Sequence, residues 1–267
     1  MTQRSGTVEK ALSLLPHFGA GRAGLGLSDL ARLSGMNKAT VLRHLLALQD
    51  AGFVEQGAGD TRYFLGPAFA TYAALRAASD PFLREVDRVL KGLAAQTGET
   101  VFVAAYDGET LTTVALVEST KATRVILDRG ARLPLHGTAP GLAVLAWGGA
   151  PLLAQVLAQP LARFTERTLC DPNALRDHLA ETRAQGYARG QQGFDLDMVG
   201  FAAPYFGPGG QVAGAVAVAL PVSRATAQVE YTAARALSAA GARLSEAMGG
   251  ALPPTYRLAI SGDGRAL

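Results

Sequence analysis

The sequence predicts an α+β protein in which two folded domains are joined by a helix. Three helical segments and a short hairpin pattern occupy residues 1–66, whereas strand-like runs alternate with helices over residues 81–248. An alanine-rich stretch at 67–80 separates the two patterns and is predicted to be a linker helix. With 267 residues, 49% of them hydrophobic, the chain is long enough to bury one large core or two modest ones.

The first domain opens with three predicted helices. The first covers residues 7–18, and a glycine-rich stretch follows it. Ser28 is predicted to cap a short second helix that ends near Gly35. Asn37 is predicted to cap the third helix, Lys38 to Asp50, whose leucines lie mainly on one side. The tight turn between the second and third helices is typical of a helix-turn-helix.

A predicted hairpin completes the first domain. Phe53–Gln56 and Thr61–Leu65 have the composition of two short strands, and Gly57–Asp60 has that of the turn between them. Three helices followed by a hairpin predict a winged helix-turn-helix, which places its recognition helix in the major groove of DNA. An ordinary helical hairpin with solvated charges would explain the two helices alone, and the added wing favours the DNA-binding interpretation.

Side chains at the start of the third helix and in the hairpin have the chemistry of DNA contacts. Arginine and lysine reach guanine edges or phosphates, and threonine reaches a phosphate or a thymine methyl group. An arginine in the wing is also suited to a narrow minor groove. The net charge of +3 is too small to support this interpretation unaided. The predicted DNA-binding residues are Asn37, Lys38, Ala39, Thr40, Arg43, His44, Arg62 and Tyr63.

The second domain is predicted to be a mixed α/β domain with a mainly antiparallel sheet. The turns Asp107–Gly108 and Gly207–Gly210 each join two strand-like runs, as in a hairpin. The tail at 249–267 contains two adjacent prolines and is predicted to be loose. The predicted strands are 100–106, 111–118, 124–128, 201–206 and 211–220, and the predicted helices are 81–96, 140–147, one from Asp171–Pro172 to Gly186, and one ending near Met248.

Short segments along nearly the whole chain resemble those of one known family. In the first domain these are Thr7–Leu12, Leu27–Ala31, Thr40–Leu46 and Tyr63–Gly66; in the second they are Thr97–Thr100, Gly130–His136, Gly186–Ala188 and Ala202–Pro204. Together they are similar to the landmarks of the IclR family of bacterial transcription regulators. The resemblance implies a GAF-like effector-binding and oligomerisation domain, a homodimer or homotetramer on a near-palindromic double-stranded DNA operator, a small-molecule effector and no cofactor.

The start of the helix at Pro140 is the predicted effector site. Unbonded backbone N–H groups and the positive end of a helix dipole suit a carboxylate, and the resemblance implies that effectors are held here. In the alternative interpretation, Gly137, Thr138 and Ala139 are small residues that only permit the turn. The predicted effector-binding residues are Leu135, His136, Gly137, Thr138, Ala139, Phe194, Asp195, Asp197, Phe201, Ala217 and Ala219.

The predicted pocket departs from the family pattern at four positions. Gly193 and Asp197 stand where the resembling proteins carry a glutamate and then a glycine, and Ala217 and Ala219 stand where relatives that bind small polar acids often carry serines. The loss of two hydroxyl groups favours a roomier, more apolar pocket for an aromatic or otherwise hydrophobic carboxylic acid rather than glyoxylate or pyruvate. Alanines that merely pack under a helix are the alternative explanation.

Other classes of protein find weaker support. The stretch Gly19–Gly24 matches G-x-G-x-x-G, but a predicted helix rather than a strand precedes it, so a dinucleotide site is not expected. The four histidines show no metal-ligand spacing, and the single cysteine excludes an internal disulfide. No catalytic residue is predicted. A hydrolase or isomerase that uses His136 with Asp195 or Asp197 remains an alternative, as does a ligand-independent DNA-binding protein.

The sequence also predicts a cytoplasmic protein without a membrane partner. The first residues lack the apolar core of a signal peptide. No later segment has the roughly 18 uncharged apolar residues that a membrane-spanning helix requires.

Overall fold

A computed structural model describes residues 6–19, 24–57 and 59–261. The chain divides into two compact units, residues 1–80 and residues 81–267. Part of the predicted Gly19–Gly24 pattern, one residue of the predicted hairpin turn and the last six residues of the chain lie outside the described residues.

The first unit contains the elements of a winged helix-turn-helix. Pro16 lies in a 3-10 helix, Leu15–Phe18, so the predicted first helix is broken in two. Gly26, not Ser28, caps the second helix, because its extended backbone turns directly into the first helical residue. The elements are α1 (Thr7–Leu12), α2 (Leu27–Ser34), α3 (Lys38–Asp50), β1 (Val54–Gln56), β2 (Tyr63–Leu65) and α4 (Ala68–Ser79).

Apolar side chains from the segments before α4 share one core. Leu30, Val41 and Leu45 are fully buried, since the helical periodicity of α2 and α3 points them at each other, and Leu14 joins them from the segment after α1. At the base of the wing, the ring of Phe53 packs against aromatic rings of α4, at 5.2 Å from Phe69 and 5.6 Å from Tyr72 between ring centroids. The residue that leads into β1 is therefore held against α4.

The second unit is a five-stranded antiparallel sheet with helices on both faces. The strand order is β4 (Leu111–Val117), β3 (Thr100–Tyr106), β7 (Val212–Pro221), β6 (Met198–Phe206) and β5 (Ala188–Gln191). The predicted strand at 124–128 does not form; instead Val125 and Leu127 pack against the core as a loop. The elements are α5 (Pro81–Thr97), β3 (Thr100–Tyr106), β4 (Leu111–Val117), α6 (Ala139–Trp147), α7 (Gly149–Leu157), α8 (Pro172–Gln185), β5 (Ala188–Gln191), β6 (Met198–Phe206), β7 (Val212–Pro221), α9 (Ala227–Ala247) and α10 (Pro254–Ser261).

Strand alternation divides the core of the second unit into two halves. Val216 and Val218 of β7 pack with helices α5 and α9, whereas Ala217 and Ala219 pack with α6 on the opposite face. Strict alternation along residues 211–220 predicts that Ala213 shares the face of Ala217 and Ala219, but it lies on the opposite face. A register irregularity pairs Phe206 with Val212 and leaves Ala213 as the extra residue, so its side chain packs with the α5 and α9 half.

Helix α6 is the most apolar helix of the second unit. Every residue from Ala139 to Ala146 is buried, as expected for a helix that is hydrophobic on all sides. Its nine residues are too few to cross a bilayer. In the part of the chain that the structure describes, no helix combines the length and the apolar character of a membrane span.

The prediction of a loose tail is wrong for residues 249–261. Pro254 begins helix α10, where a proline fits because the first helical N–H needs no partner. The fully buried ring of Tyr256 packs against Trp147 at 5.2 Å and Phe206 at 5.3 Å between centroids. The tail therefore completes the core around the end of α6.

We expect Tyr256→Ala to lower the free energy of unfolding of the second unit by about 3–5 kcal/mol, because it empties a fully buried aromatic site. Leu258→Ala is the matched control, since this side chain on the same helix is 62% exposed and its loss should change stability by less than about 0.5 kcal/mol. Urea unfolding followed by circular dichroism measures both. Equal effects of the two substitutions would show that α10 is not docked in solution.

Candidate functional site

The recognition helix α3 begins at an ordered cap. The side-chain oxygen of Asn37 accepts a hydrogen bond of 2.8 Å from the Thr40 backbone N–H, as predicted. This fixes the first turn of α3, where Lys38 and Ala39 are exposed and Thr40 is partly exposed. Arg43 is exposed on the second turn. The exposed cations lie beside the positive end of the helix dipole, an arrangement that suits contact with phosphate and base edges.

Two of the predicted DNA-binding side chains are buried. His44 is 2% exposed because it lies between Val41 and Leu48 on the core face of α3. Tyr63 is buried because β2 turns this side chain inward, while its backbone pairs with Leu25. Neither side chain reaches the surface on which Arg43 lies, so the prediction that they contact DNA is wrong for their side chains.

The buried imidazole of His44 has an unusual electrostatic environment. Its Nε2 atom has no hydrogen-bond partner among the described residues. Burial lowers the pKa of His44, and the positive charges of Arg43 and Lys10 lower it further. The folded unit therefore favours the neutral imidazole.

The wing arginine is held by an acidic neighbour. The Arg62 guanidinium donates to Asp60 at 2.6 Å from Nη2 and 2.9 Å from Nε, and it lies over the ring of Phe64 at 5.8 Å. Hydrogen bonds from Arg62 lower the pKa of Asp60 to about 2, so this carboxylate is ionised at neutral pH. Any contact between Arg62 and a DNA phosphate has to compete with Asp60.

The second unit encloses a cavity between the sheet and the start of α6. Its volume is about 40 Å³. Most of its walls are apolar, and none of the described side chains that line it is charged. Side chains that line the apolar walls include Phe102, Leu127, Leu133, Met198, Ala217 and Ala219.

Unbonded backbone N–H groups line the polar end of this cavity. The N–H groups of Gly137, Thr138 and Ala139 form no hydrogen bond to any described residue. The N–H groups that follow are already occupied or absent: Gly141 donates to the Thr138 hydroxyl at 3.2 Å, and Pro140 has no N–H. This cluster of donors at the positive end of α6 can bind an anionic oxygen.

A strained turn lies on another side of the cavity. Gln192 has φ of +60°, the only positive value of a non-glycine residue in the described part of the chain. Its side-chain oxygen accepts from Arg167 at 2.6 Å, and its nitrogen donates to the carbonyl of Leu196 at 2.6 Å. The sequence reasoning missed Gln192. The glycines at 190 and 193 were the signal of an irregular turn in this place.

The structure brings together six of the eleven residues predicted to bind the effector. These six line the cavity: Gly137, Thr138, Ala139, Phe194, Ala217 and Ala219. Leu135 and His136 precede the cavity wall, and neither lines it. Phe201 is fully buried on the opposite face of the sheet, because its neighbour Gly200 faces the cavity and side chains alternate along β6.

The acid–base pair considered for an enzyme is not assembled. His136 Nε2 lies 2.8 Å from the carbonyl oxygen of Ala162, and its ring packs on Phe164. Asp195 and Asp197 are exposed, and no hydrogen bond or ion pair between these described residues joins either to His136. Both acids are solvated because they lie in the loop that carries β5 into β6.

A winged helix-turn-helix in one unit and a cavity with an anion-binding end in the other define a ligand-responsive transcription regulator. The family model for the IclR helix-turn-helix domain matches residues 7–58, and the model for the bacterial transcriptional regulator IclR C-terminal domain matches residues 76–246. The chain belongs to the IclR family. It is a transcriptional regulator with a DNA-binding domain and an effector-binding domain.

Relatives and solved structures agree with this assignment over most of the chain. The HTH-type transcriptional regulator XynR of Escherichia coli is 29% identical over 91% of this chain and 97% of its own. A putative IclR transcriptional regulator from a Silicibacter species is 48% identical, covers 94% of this chain and 99% of its own, and has a TM-score of 0.81.

A third similar protein has a ligand in its crystal structure. It is an IclR homologue complexed with 4-hydroxybenzoate from Microbacterium hydrocarbonoxydans. It is 22% identical, covers 91% of this chain and 99% of its own, and has a TM-score of 0.79, which shows a shared fold.

We expect the stability of the first unit to fall as the pH drops below about 6.5, the ordinary pKa of an unfolded histidine. The unfolded chain then binds a proton that the folded unit resists, because the folded pKa of His44 is lowered. Hydrogen exchange of the α3 amides between pH 5 and pH 8 measures this. His44→Leu should flatten the pH dependence, and an unchanged slope in His44→Leu would contradict this origin.

Proposed function

We propose that this regulator reads a near-palindromic operator as a homodimer and responds to an aromatic carboxylic acid bound in the cavity of the second unit. The observation that supports binding of a carboxylic acid is the row of three unbonded N–H groups, Gly137 to Ala139, at the end of an apolar cavity. A carboxylate supplies the oxygens that these donors lack, and an apolar body suits the remaining walls.

The polar side chains of the cavity support a single anionic group on the ligand. The Thr138 hydroxyl already donates to the carbonyl of Pro134 at 2.9 Å and accepts from Gly141. The Gln192 amide is held by Arg167 and Leu196. Ala217 and Ala219 offer no hydroxyl to a second polar group. A small polar acid such as glyoxylate would therefore leave most of the cavity wall without a matching contact.

The similar protein with bound 4-hydroxybenzoate supports an aromatic acid as the ligand, because its fold is shared over most of the chain. The residues that we propose to bind the ligand are Gly137, Thr138, Ala139, Phe194, Ala217 and Ala219. An enzymatic role for the same cavity is the second candidate, and the exposed positions of Asp195 and Asp197 count against it.

We propose that Lys38, Thr40 and Arg43 contact the operator from α3, with Arg62 contacting it from the wing. Exposure of the first turn of α3 supports the helix contacts. A homodimer would match two such helices to the two half-sites of a near-palindrome. The exposed apolar side chains of α4, Tyr72 and Leu75, offer a surface for the second copy. Since its target is the bacterial chromosome, we expect the protein to act in the cytoplasm.

We expect benzoate to bind the full-length protein more tightly than either benzamide or glyoxylate. Benzamide keeps the ring but lacks the charge that the N–H groups favour, whereas glyoxylate keeps the carboxylate but leaves the apolar walls bare. Thermal shift measures the difference, since a ligand at 100 times its Kd stabilises by about 2.7 kcal/mol. Stabilisation only by glyoxylate or other small keto acids would contradict the aromatic class. If none of the acids changed the operator affinity, ligand-independent DNA binding would be favoured.

We expect Arg43→Ala and Asp60→Asn to change operator affinity in opposite directions. Arg43→Ala removes a base or phosphate contact and should weaken binding by about 1–3 kcal/mol. Asp60→Asn removes the competitor of Arg62, so binding should strengthen and its logarithmic salt slope should steepen by about one. Fluorescence anisotropy at several salt concentrations measures both, with Arg176→Ala in α8 as the control. No steepening in Asp60→Asn would mean that Arg62 does not contact DNA.

A further inference from the structure

A segment between α7 and α8 crosses from one wall of the cavity to another. We call residues 162–168 the strap. At one end of the strap, the Ala162 carbonyl lies 2.8 Å from His136 Nε2, which belongs to the loop that leads into α6. Further along, hydroxyl groups of the strap bind the turn that follows β5. The strap thus links two loops that both line the cavity.

Two threonines fasten the strap to the strained turn. The Thr165 hydroxyl donates to the Gln192 carbonyl at 2.7 Å, and the Thr168 hydroxyl donates to the Gly193 carbonyl at 2.7 Å. The buried Thr168 oxygen also accepts from the backbone N–H groups of Phe164 and Thr165, at 3.0 Å and 2.8 Å. Thr168 therefore fixes both the shape of the strap and its position against Gly193.

Phe164 bridges the cavity walls with its ring. A β-carbon added to Gly137 would lie 2.9 Å from Cδ2 of this ring, so the ring rests directly on the backbone of Gly137. On the other side the ring lies 5.3 Å from that of Phe194 between centroids. Phe164 does not line the cavity, but Gly137 and Phe194 do. It therefore acts on a ligand through these two residues.

The size of the cavity makes this contact important for binding. A cavity that holds benzene measures about 150 Å³, whereas this one measures about 40 Å³. One wall therefore has to move to admit an aromatic ring. The wall formed by the sheet cannot move, because Ala217 and Ala219 belong to the central strand β7, which is paired on both sides. Phe164 and Phe194 are 39% and 38% exposed, so they have solvent to move into.

We propose that Phe164 is the positioning residue that sets the size of acid the cavity accepts, and that Thr168 holds it in place. This inference rests on the proposed carboxylic acid function. When an acid enters, Phe194 shifts toward solvent, and its contact with the Phe164 ring limits this shift to the room that a single aromatic ring needs beside Gly137. Without the Phe164 ring, Phe194 moves further outward and the cavity admits a second fused ring.

The test compares benzoate with 2-naphthoate on the full-length protein by isothermal titration calorimetry. We expect the wild type to prefer benzoate, and Phe164→Ala to shift the ratio of the two Kd values toward 2-naphthoate by about tenfold. Phe164→Leu should produce a smaller shift in the same direction, and it decides the question if the alanine variant does not fold. Val222→Ala, an exposed apolar position of the same unit, should leave the ratio unchanged.

The outcomes separate this inference from the function on which it rests. A wild type that binds benzoate, with an unchanged ratio in both Phe164 variants, would overturn the role of Phe164 and leave the acid function standing. Equal weakening of both ligands would also overturn it, since a merely structural role has that effect. A wild type that binds neither acid would overturn both.

Substitutions at Thr168 test the role of the strap independently. Thr168→Val keeps the shape of the side chain but loses the hydroxyl that binds Gly193. We expect it to shift the ratio of Kd values in the direction of Phe164→Ala, by several-fold. Thr168→Ser keeps the hydroxyl and should preserve the wild-type ratio. A shift of equal size in the serine variant would show that the methyl group, not the hydrogen bonds, sustains the strap, and would overturn the role given to Thr168.

Discussion

Helix α6 is apolar on every side, and covering it is the constraint on which the ligand-binding unit depends. It packs against the alanine face of β7 and the apolar side of α8, and its residue Trp147 packs against Tyr256 of α10. A helix buried to its first turn also has a buried N-terminus, where a backbone N–H without a partner costs about 1–3 kcal/mol. The Thr138 hydroxyl relieves one such group. The N–H groups of Gly137, Thr138 and Ala139 remain for a ligand.

The cavity exists because small residues stand where side chains would otherwise fill the space under α6. A β-carbon at Gly190 would lie 2.8 Å from the backbone nitrogen of Ala139, and one at Gly200 would lie 3.2 Å from its Cβ. With Ala217 and Ala219 beside them, these positions let the start of α6 approach the sheet and still leave a gap. None of these four small residues offers a polar side chain, which is why we propose that backbone N–H groups bind the anion.

Much of this architecture follows from local sequence signals. The cap at Asn37, the start of α8 at Asp171–Pro172 and the shared face of Ala217 and Ala219 each depend on residues within one element, and each agrees with the structure. The alternation along β7 fails only at Ala213, where a bulge that no local signal marks shifts the register. His44 was wrongly predicted to contact DNA. It lies three residues after Val41 and four before Leu48, a spacing that puts all three side chains on the buried face of the helix. Phe201 was wrongly predicted to bind the effector, because the alternation of side chains along β6 does not by itself show which face of the sheet borders the cavity. The strap was beyond sequence reasoning, since Thr165 and Gln192 are 27 residues apart with no shared motif.

Pairing of Arg62 leaves the first unit with less free positive charge than its basic residues alone suggest, because Asp60 offsets the wing arginine. The net charge of the whole chain is only +3. The net charge alone therefore provides little general attraction to the DNA backbone. We propose that selection of an operator depends instead on the few side chains at the capped start of α3, whose geometry Asn37 fixes.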